Sequence, residues 1–244
     1  MYIKSNKRKL QAANTRQNIY RSASYLITQR GFDNVTVEEI AENAGVSVGA
    51  FYHHFKSKEY IIAHYFKNLD LAYQQFFNEF LETPLTQNLS SIYKIMIFMI
   101  FAVKVSSYKG SDYLRIFYVS ALKDQKLNSE MSGRDRIYFK VMRNLIETAI
   151  KHGELAGNND IDPEVLINNL WTISRGCIIG WAMDRYTEDV CIVLRSCLFF
   201  FMKGLTGNKY PSEEDTRYCN KNKLFDKIEA YYEEIAPKLA SHQI

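Results

Sequence analysis

The chain has 244 residues, of which 47% are hydrophobic and 24% charged, with only 4 prolines and 11 glycines. A chain this long and apolar can bury a sizeable core, which excludes an intrinsically disordered protein. The formal net charge is +4, and all of this excess lies in the first 60 residues, where nine Lys or Arg face five Asp or Glu. A basic end on a neutral body suits a nucleic acid better than a membrane surface, because the basic stretch has no apolar face of its own.

Hydropathy and cysteine usage indicate a cytoplasmic protein without metal or cofactor. The opening residues contain no apolar stretch of the kind that forms a secretory signal. The most apolar run, Ile95 to Val103, is too short to span a bilayer, so no membrane association is expected. The four cysteines show no C-x-x-C spacing, and we expect free thiols.

The first 30 residues predict a basic arm followed by a helix. Residues 1–9 carry four Lys or Arg and are expected to be mobile. They would either reach along a nucleic-acid groove or simply lie in solvent. From Leu10 to Arg30 apolar residues such as Ile19 and Ala23 recur at helical spacing, and Gly31 is a residue that commonly ends a helix.

Residues 35–59 predict two short helices joined by a tight turn. Thr36 and Glu39 have the spacing of a capping box, in which each side chain accepts a hydrogen bond from the other residue's backbone N–H. Gly45 supplies the left-handed residue that ends the first helix. Ser47 is a good N-cap for a second helix over Val48 to Phe55, and Ser57 for a third. Helix, short turn and helix is the helix-turn-helix arrangement.

The second of these helices has the composition of a DNA-recognition helix. Phe51 and Phe55 are four residues apart and should both face the core. Small residues at the start of the helix would let its backbone approach base edges. The residues left facing outward are Ser47, Gly49, Ala50, Tyr52, His53 and His54.

This region resembles the DNA-binding domain of the tetracycline-repressor (TetR) family. The residues in register are Ile19, Ala23, Gly31, Phe32, Thr36, Val37, Ile40, Ala41, the run from Ala44 to Ser47, the run from Gly49 to Phe55, and the run from Ser57 to Glu59. The resemblance implies an all-α protein with an N-terminal three-helix helix-turn-helix domain and a larger helical domain for effector binding and dimerisation. It also implies phosphate contacts by Thr36 and Lys58. Val48 is a departure, since many members carry Lys or another polar residue at this position.

The rest of the chain is predicted to be helical throughout. A long helix from Ser57 to about residue 82 carries an aromatic stripe and connects the DNA-recognition helix to the body. We therefore expect it to transmit a movement of the body to the DNA-recognition helix. Asp162 and Pro163 mark another helix start, as N-cap and first helical residue. Further helices are predicted over residues 87–107, 111–126, 130–153, 163–184, 188–204 and 223–236. We therefore divide the chain into a DNA-binding domain (1–57), an effector and dimerisation domain (58–207) and a C-terminal extension (208–244) that packs on the body.

The helices 163–184 and 188–204 resemble the pair through which TetR-family proteins dimerise. Gly176 and Gly180 lie four residues apart on one helix face, where they allow close approach of another helix. Together with Leu194 and Leu198 they are the predicted dimer interface. A helix-turn-helix protein needs such pairing to bind the two half-sites of a palindromic operator.

The resemblance also implies a small-molecule effector, and the aromatic-rich composition suits an apolar pocket for a largely hydrophobic one. For each candidate wall residue taken singly, core packing is favoured over contact with a ligand. The candidates are Phe101, Tyr108, Tyr113, Phe117, Tyr118, Met142, Trp171 and Cys177.

Enzymatic function is poorly supported. Gly45, Ser47 and Gly49 match the G-x-S-x-G pattern of serine hydrolases, but that elbow follows a strand and here a helix is predicted. The adjacent His53 and His54 diverge by about 100° on a helix and do not form a metal site. We therefore expect a homodimeric transcriptional repressor that an effector releases from its operator. The alternative is a helical binding module whose DNA-recognition helix is vestigial.

Overall fold

The computed structural model describes residues 2–155, 161–185 and 187–241, and these form α-helices and loops without a β-strand, which confirms the predicted all-α fold. The helices are α1 (Tyr2–Arg30), α2 (Val37–Asn43), α3 (Val48–His54), α4 (Lys58–Phe76) with a π-helical turn Phe77–Leu81, α5 (Ser91–Ser106), α6 (Ser111–Lys123), α7 (Gln125–Ser132), α8 (Ile137–Lys151), α9 (Pro163–Ala182), α10 (Val190–Leu205), α11 (Glu213–Asn222) and α12 (Leu224–Ser241).

Helices α1, α2 and α3 form the predicted helix-turn-helix domain. The Thr36 N–H donates to Glu39 Oε2 at 2.8 Å and the Glu39 N–H donates to Thr36 Oγ1 at 3.2 Å, so the capping box is present. Gly45 adopts φ of +67°, which a residue with a side chain rarely does, and it turns the chain between α2 and α3. Phe51, at the centre of α3, is fully buried. These local signals therefore produce the predicted arrangement.

Helix α1 begins much earlier than predicted. It starts at Tyr2, so the mobile arm expected over residues 1–9 is wrong for the backbone that the structure describes. The physical reason is that this stretch contains no Gly or Pro and several good helix formers, so nothing in it ends the helix. The basic residues Lys7, Arg8 and Lys9 consequently lie exposed along a helix.

The body is built around α5. All residues of α5 except Lys94 and Lys104 are buried, because α8, α10 and α12 pack around it. Asp70 of α4 forms an ion pair with Arg136, the N-cap of α8, at 3.0 Å. No single described helix is long and apolar enough to cross a membrane, and α5 and α6 meet that test only together, as a pair bent by 94°.

Two helices predicted in the body differ from the structure. The helix expected over residues 111–126 is divided at Asp124, whose carboxylate accepts hydrogen bonds from the Lys126 and Leu127 N–H groups and starts α7. The helix expected over 130–153 begins only at Ile137. A side-chain cap inside an apparently continuous pattern therefore ended one helix and opened another.

The C-terminal extension contributes two helices instead of one. The polar helix α11 was missed because its burial depends on distant partners: Asp215 accepts hydrogen bonds from the Ser90 N–H at 3.0 Å and from the Ser90 hydroxyl at 2.6 Å. Helix α12 packs on the body as predicted, with the Tyr231 ring 5.5 Å from that of Phe76. It continues past residue 236, with Pro237 inside the helix, since the following Leu239 is buried.

Candidate nucleic-acid interface

Helix α3 has one exposed face, and its other face packs in the core of the domain. Ser47 caps it, accepting a hydrogen bond from the Ala50 N–H at 3.1 Å. Phe51 and Phe55 are buried beneath it, at 0% and 3% exposure. The four positions from Ser47 to Ala50 are therefore exposed or partly exposed, and so is the ring of Tyr52, at 53%.

The two histidines of α3 are not equivalent. His53 is exposed, whereas His54 is half-buried and its ring lies 5.1 Å from that of His53. Burial lowers the pKa of His54, and the nearby His53 and Arg16 lower it further. His54 therefore favours the neutral form, in which it donates or accepts a hydrogen bond without forming an ion pair with phosphate.

The Lys58 ammonium is engaged within the protein, which argues against the phosphate contact predicted for it. Its ammonium donates to the backbone carbonyls of Phe32 and Val35, at 2.8 Å each. It also lies 4.2 Å from the centroid of the Phe32 ring. Lys58 thus ties the start of α4 to the loop after α1. The side chain of Thr36 is likewise occupied by the capping box.

A basic concavity beside the C-terminal end of α3 was not predicted. It has a volume of about 170 Å³ and is lined by Arg16, His54, Phe55, Lys56, Tyr60, His64 and Lys126. Arg16 and Lys56 are both exposed, and they lie over the rings of Phe55 and Tyr60 at 5.1 and 5.6 Å. The basic composition of the N-terminal end hinted at such a surface, but only the packing of α1 against α3 brings these cations together.

Polar contacts link helix α1 of this domain, and helix α4 that follows the domain, to other helices of the body. Lys109, in the loop between α5 and α6, donates to the Ser24 hydroxyl of α1 at 2.9 Å. The Tyr60 hydroxyl of α4 donates to Asp124 at 2.7 Å. The Asp70 and Arg136 pair then connects the middle of α4 with α8. A shift of the body helices would therefore be transmitted to α1 and α4.

The body contains two adjoining cavities: an outer groove between α6 and α9, and an inner cavity that α4, α5 and α8 also line. The inner one has a volume of about 30 Å³, the outer groove about 210 Å³, and Tyr118 and Arg175 line both. Of the eight predicted pocket residues, only Tyr118 and Trp171 line these cavities. Aromatic residues do line these cavities, but an aromatic-rich sequence does not show which aromatic residues form a cavity wall and which pack in the core.

The other predicted pocket residues pack elsewhere. Phe101 stacks on Phe76 with ring centroids 3.8 Å apart, and Tyr108 lies partly exposed against Tyr232. Cys177 Sγ is 3.8 Å from Cys197 Sγ, and burial, followed by this neighbouring thiol, raises the pKa of Cys177 to about 12. The remaining three are buried in the core: Tyr113, Phe117 and Met142.

Two of the four predicted dimer residues are also core residues. Leu194 and Leu198 are fully buried within their own chain, so they do not present a surface to a second copy. Gly180 is buried as well, and Gly176 is exposed. The exposed apolar side chains of α10 are instead Ile192 and Phe200, at 60% and 71% exposure. Helical periodicity was correct here, but the choice of face was wrong.

The described residues contain no group of three or more His, Cys, Asp or Glu side chains that could hold a metal ion. Ser47 follows a helix and a turn and acts as the N-cap of α3, which is not the strand-to-helix context of a hydrolase elbow.

Comparison with known proteins finds a family match in the helix-turn-helix region. Residues 19–66 match the model of the bacterial regulatory proteins of the tetR family. The chain is 40% identical over 53 residues to the transposon Tn10 TetC protein of Escherichia coli, which covers 22% of this chain and 27% of that protein. It is also 40% identical over 52 residues to the HTH-type transcriptional repressor KstR2 of Mycolicibacterium smegmatis, covering 21% and 25%. These matches span only about a quarter of the length of either relative.

The similarity of fold extends much further. The crystal structure of Thermus thermophilus FadR, a TetR-family transcriptional repressor in complex with lauroyl-CoA, matches with a TM-score of 0.63. The match covers 78% of this chain and 94% of that one, at 19% sequence identity. At this identity the likeness is one of fold alone.

Proposed function

Because the chain belongs to the tetR family of bacterial regulatory proteins through its residues 19–66, we propose that it is a DNA-binding transcriptional repressor of the cytoplasm. It binds a palindromic operator as a homodimer and leaves the operator when a small molecule binds its body. The observation that carries this proposal is the face of α3, where an N-capped, small-residue start stands exposed next to Tyr52.

In this proposal α3 enters the major groove with its N-terminal end toward the bases. Ser47, Gly49 and Ala50 allow the backbone to approach the base edges, and Tyr52, His53 and His54 supply hydrogen-bonding groups. Arg16 and Lys56 replace Lys58 as the phosphate-facing cations, since both are exposed beside α3.

Dimerisation is assigned to the exposed face of α9 and α10. The Cys177 and Cys197 sulfurs are 3.8 Å apart, which places exposed Gly176 of α9 near the middle of α10. Ile192 and Phe200 then flank that point on α10, and burial of their side chains against a second copy would drive association.

The effector is assigned to the cavities between α6 and α9. The fold relative from Thermus thermophilus was crystallised in complex with lauroyl-CoA, so a protein of this fold can bind a ligand that contains an apolar acyl chain. Binding there would displace α6 and α8 and, through Tyr60, Asp70 and Lys109, the helices that position α3.

The test is the replacement of both Tyr52 and His54 by Ala. A palindromic duplex selected from a random-sequence library by the unsubstituted protein serves as the operator in a gel-shift assay. We expect a loss of affinity of at least about tenfold, since specific base contacts contribute about 1–3 kcal/mol each. Size-exclusion chromatography should show an unchanged dimer.

Tyr25→Ala is the matched control, because Tyr25 is 61% exposed on α1 and lies outside α3. Operator affinity that survives the double replacement would overturn the assignment of α3. Failure of the unsubstituted protein to select any duplex, with a salt dependence near zero, would favour the alternative that α3 is vestigial.

A further inference from the structure

Arg175 occupies the junction of the two body cavities. It lies on α9 and, with Tyr118 of α6, lines both the inner cavity and the outer groove. Its guanidinium carbon is 5.9 Å from the Tyr118 ring centroid and 6.0 Å from that of Trp171. The positive charge is thus held between aromatic rings at the point where a ligand would pass from one cavity into the other.

The other cations of these cavities already have counterions. Arg136 pairs with Asp70 at 3.0 Å. Arg115 pairs with Asp112 at 3.2 Å and with Asp184 at 3.0 Å. Within the described part of the chain, Arg175 has aromatic neighbours but no carboxylate partner. Arg175 is therefore the cation of the cavity wall that no described carboxylate neutralises, and a negative charge on a ligand would be complementary to it.

The inner cavity is very small, and its mainly apolar wall contains a few polar groups. At about 30 Å³ it has room for only a group of a few atoms. Its lining includes the hydroxyl-bearing side chains of Ser106, Ser174 and Tyr138 as well as Arg136. A carboxylate has a suitable size for this space and would accept hydrogen bonds from Arg175 and from the buried Tyr138 hydroxyl, whereas a longer chain would not fit. The Ser106 and Ser174 hydroxyls already donate to the Val103 and Leu170 carbonyls.

The outer groove is larger and is also mainly apolar. Its wall is formed mainly by aliphatic side chains of α6 and α9, among them Val119, Leu122, Ile179 and Met183. Leu122 is 84% and Met183 71% exposed, so a tail lying in the groove would cover apolar surface that is now in water. The volume of about 210 Å³ is smaller than that of most drug-sized sites, which points to a tail of medium length.

We propose that the body binds an amphipathic carboxylate, with the carboxylate at Arg175 facing the inner cavity and a medium-length apolar tail along the groove between α6 and α9. The proposal rests on the proposed effector function and gives the chemical class of its ligand. Because Arg136 lines the same inner cavity, a carboxylate there would compete with Asp70 for it and so act on α4.

The experiment compares octanoate, 1-octanol and octylamine, which share a chain and differ in the head group. The chain has two tryptophans, and a Trp181→Phe protein leaves Trp171 in the inner cavity as the fluorescent reporter. Calorimetry on the unsubstituted protein repeats each titration. We expect octanoate to bind about tenfold more tightly than octanol, the contribution of a charge-assisted hydrogen bond, and octylamine to bind most weakly.

Arg175→Gln should remove the preference for octanoate over octanol, and Arg175→Lys should retain most of it. Arg185→Gln is the matched control, because it removes an exposed Arg just beyond the end of α9 and outside both cavities. Equal binding of octanoate and octanol, no saturable binding of octanoate, or an undiminished preference in Arg175→Gln would each overturn the proposal.

The failure of this proposal is separable from that of the proposed function. If the protein holds its operator but octanoate does not bind, the ligand class is wrong and the repressor function stands. If octanoate binds through Arg175 and leaves the operator complex unchanged, the ligand class stands and release through this cavity is wrong.

Discussion

Lys58→Met separates two roles for the same side chain. The TetR-family resemblance implies a phosphate contact, whereas in the structure the Lys58 ammonium donates to the carbonyls of Phe32 and Val35 at 2.8 Å each. Met keeps most of the length and apolar volume of the side chain and removes only the charge and the donors. The substitution therefore tests the two hydrogen bonds and the contact with the Phe32 ring.

The expected loss follows from these contacts. A hydrogen bond to a charged group contributes about 1.5–3 kcal/mol, and two bonds from one half-buried ammonium are not independent. We therefore expect the free energy of unfolding to fall by about 2–3 kcal/mol. Urea unfolding followed by circular dichroism measures this difference. The dependence of operator affinity on salt should keep its slope, because no phosphate contact is lost.

Lys56→Met is the matched control, since Lys56 is exposed two residues earlier and faces the basic concavity. Here we expect a change in stability of less than about 0.5 kcal/mol, as for most surface substitutions. The salt slope should fall by about 0.9, the value for one phosphate contact. The opposite pattern, with a stable Lys58→Met protein whose salt slope is reduced, would refute the reasoning.

Two further substitutions test the ion pair of helix α4 and the capping box of helix α2. Asp70→Asn leaves the 9% exposed Arg136 without its carboxylate, and we expect urea unfolding to show a loss of about 3 kcal/mol; a loss below about 1 kcal/mol would contradict the role of this pair. For Glu39 the hydrogen bond from the Thr36 N–H, followed by Arg30, holds the pKa below its usual value. A lowered folded-state pKa means stability that is present above the unfolded-state pKa and is lost as the pH falls through the folded-state pKa. Glu39→Gln should therefore be less stable than the parent protein at pH 7, with a lower urea midpoint of unfolding. The difference between the two midpoints should disappear when the pH falls below the usual pKa of Glu. A difference that grows at low pH would contradict this role of Glu39.

The sequence by itself determined the local features of this protein. The capping box of Thr36 and Glu39, the turn at Gly45 and the N-cap at Asp162 all appear where they were predicted, with the Glu164 N–H donating to Asp162 at 2.9 Å. Each of these depends on residues within a few positions of one another, so their geometry follows from the chain's own dihedral and hydrogen-bonding preferences. The helical spacing of apolar residues is also a local property, and it predicted the helices that the described residues form.

Tertiary structure alone decided what each helical face contacts. Lys58 was placed by residues 23 and 26 positions away, Asp215 by Ser90, and Leu194 and Leu198 by the packing of α10 on α5. The position of Arg175 at the junction of two cavities likewise depends on α6 lying against α9. Periodicity states that a helix has an apolar side, but burial is shared among several elements at once. Which partner covers that side, and where a gap remains for a ligand, is therefore settled only when all the helices are packed.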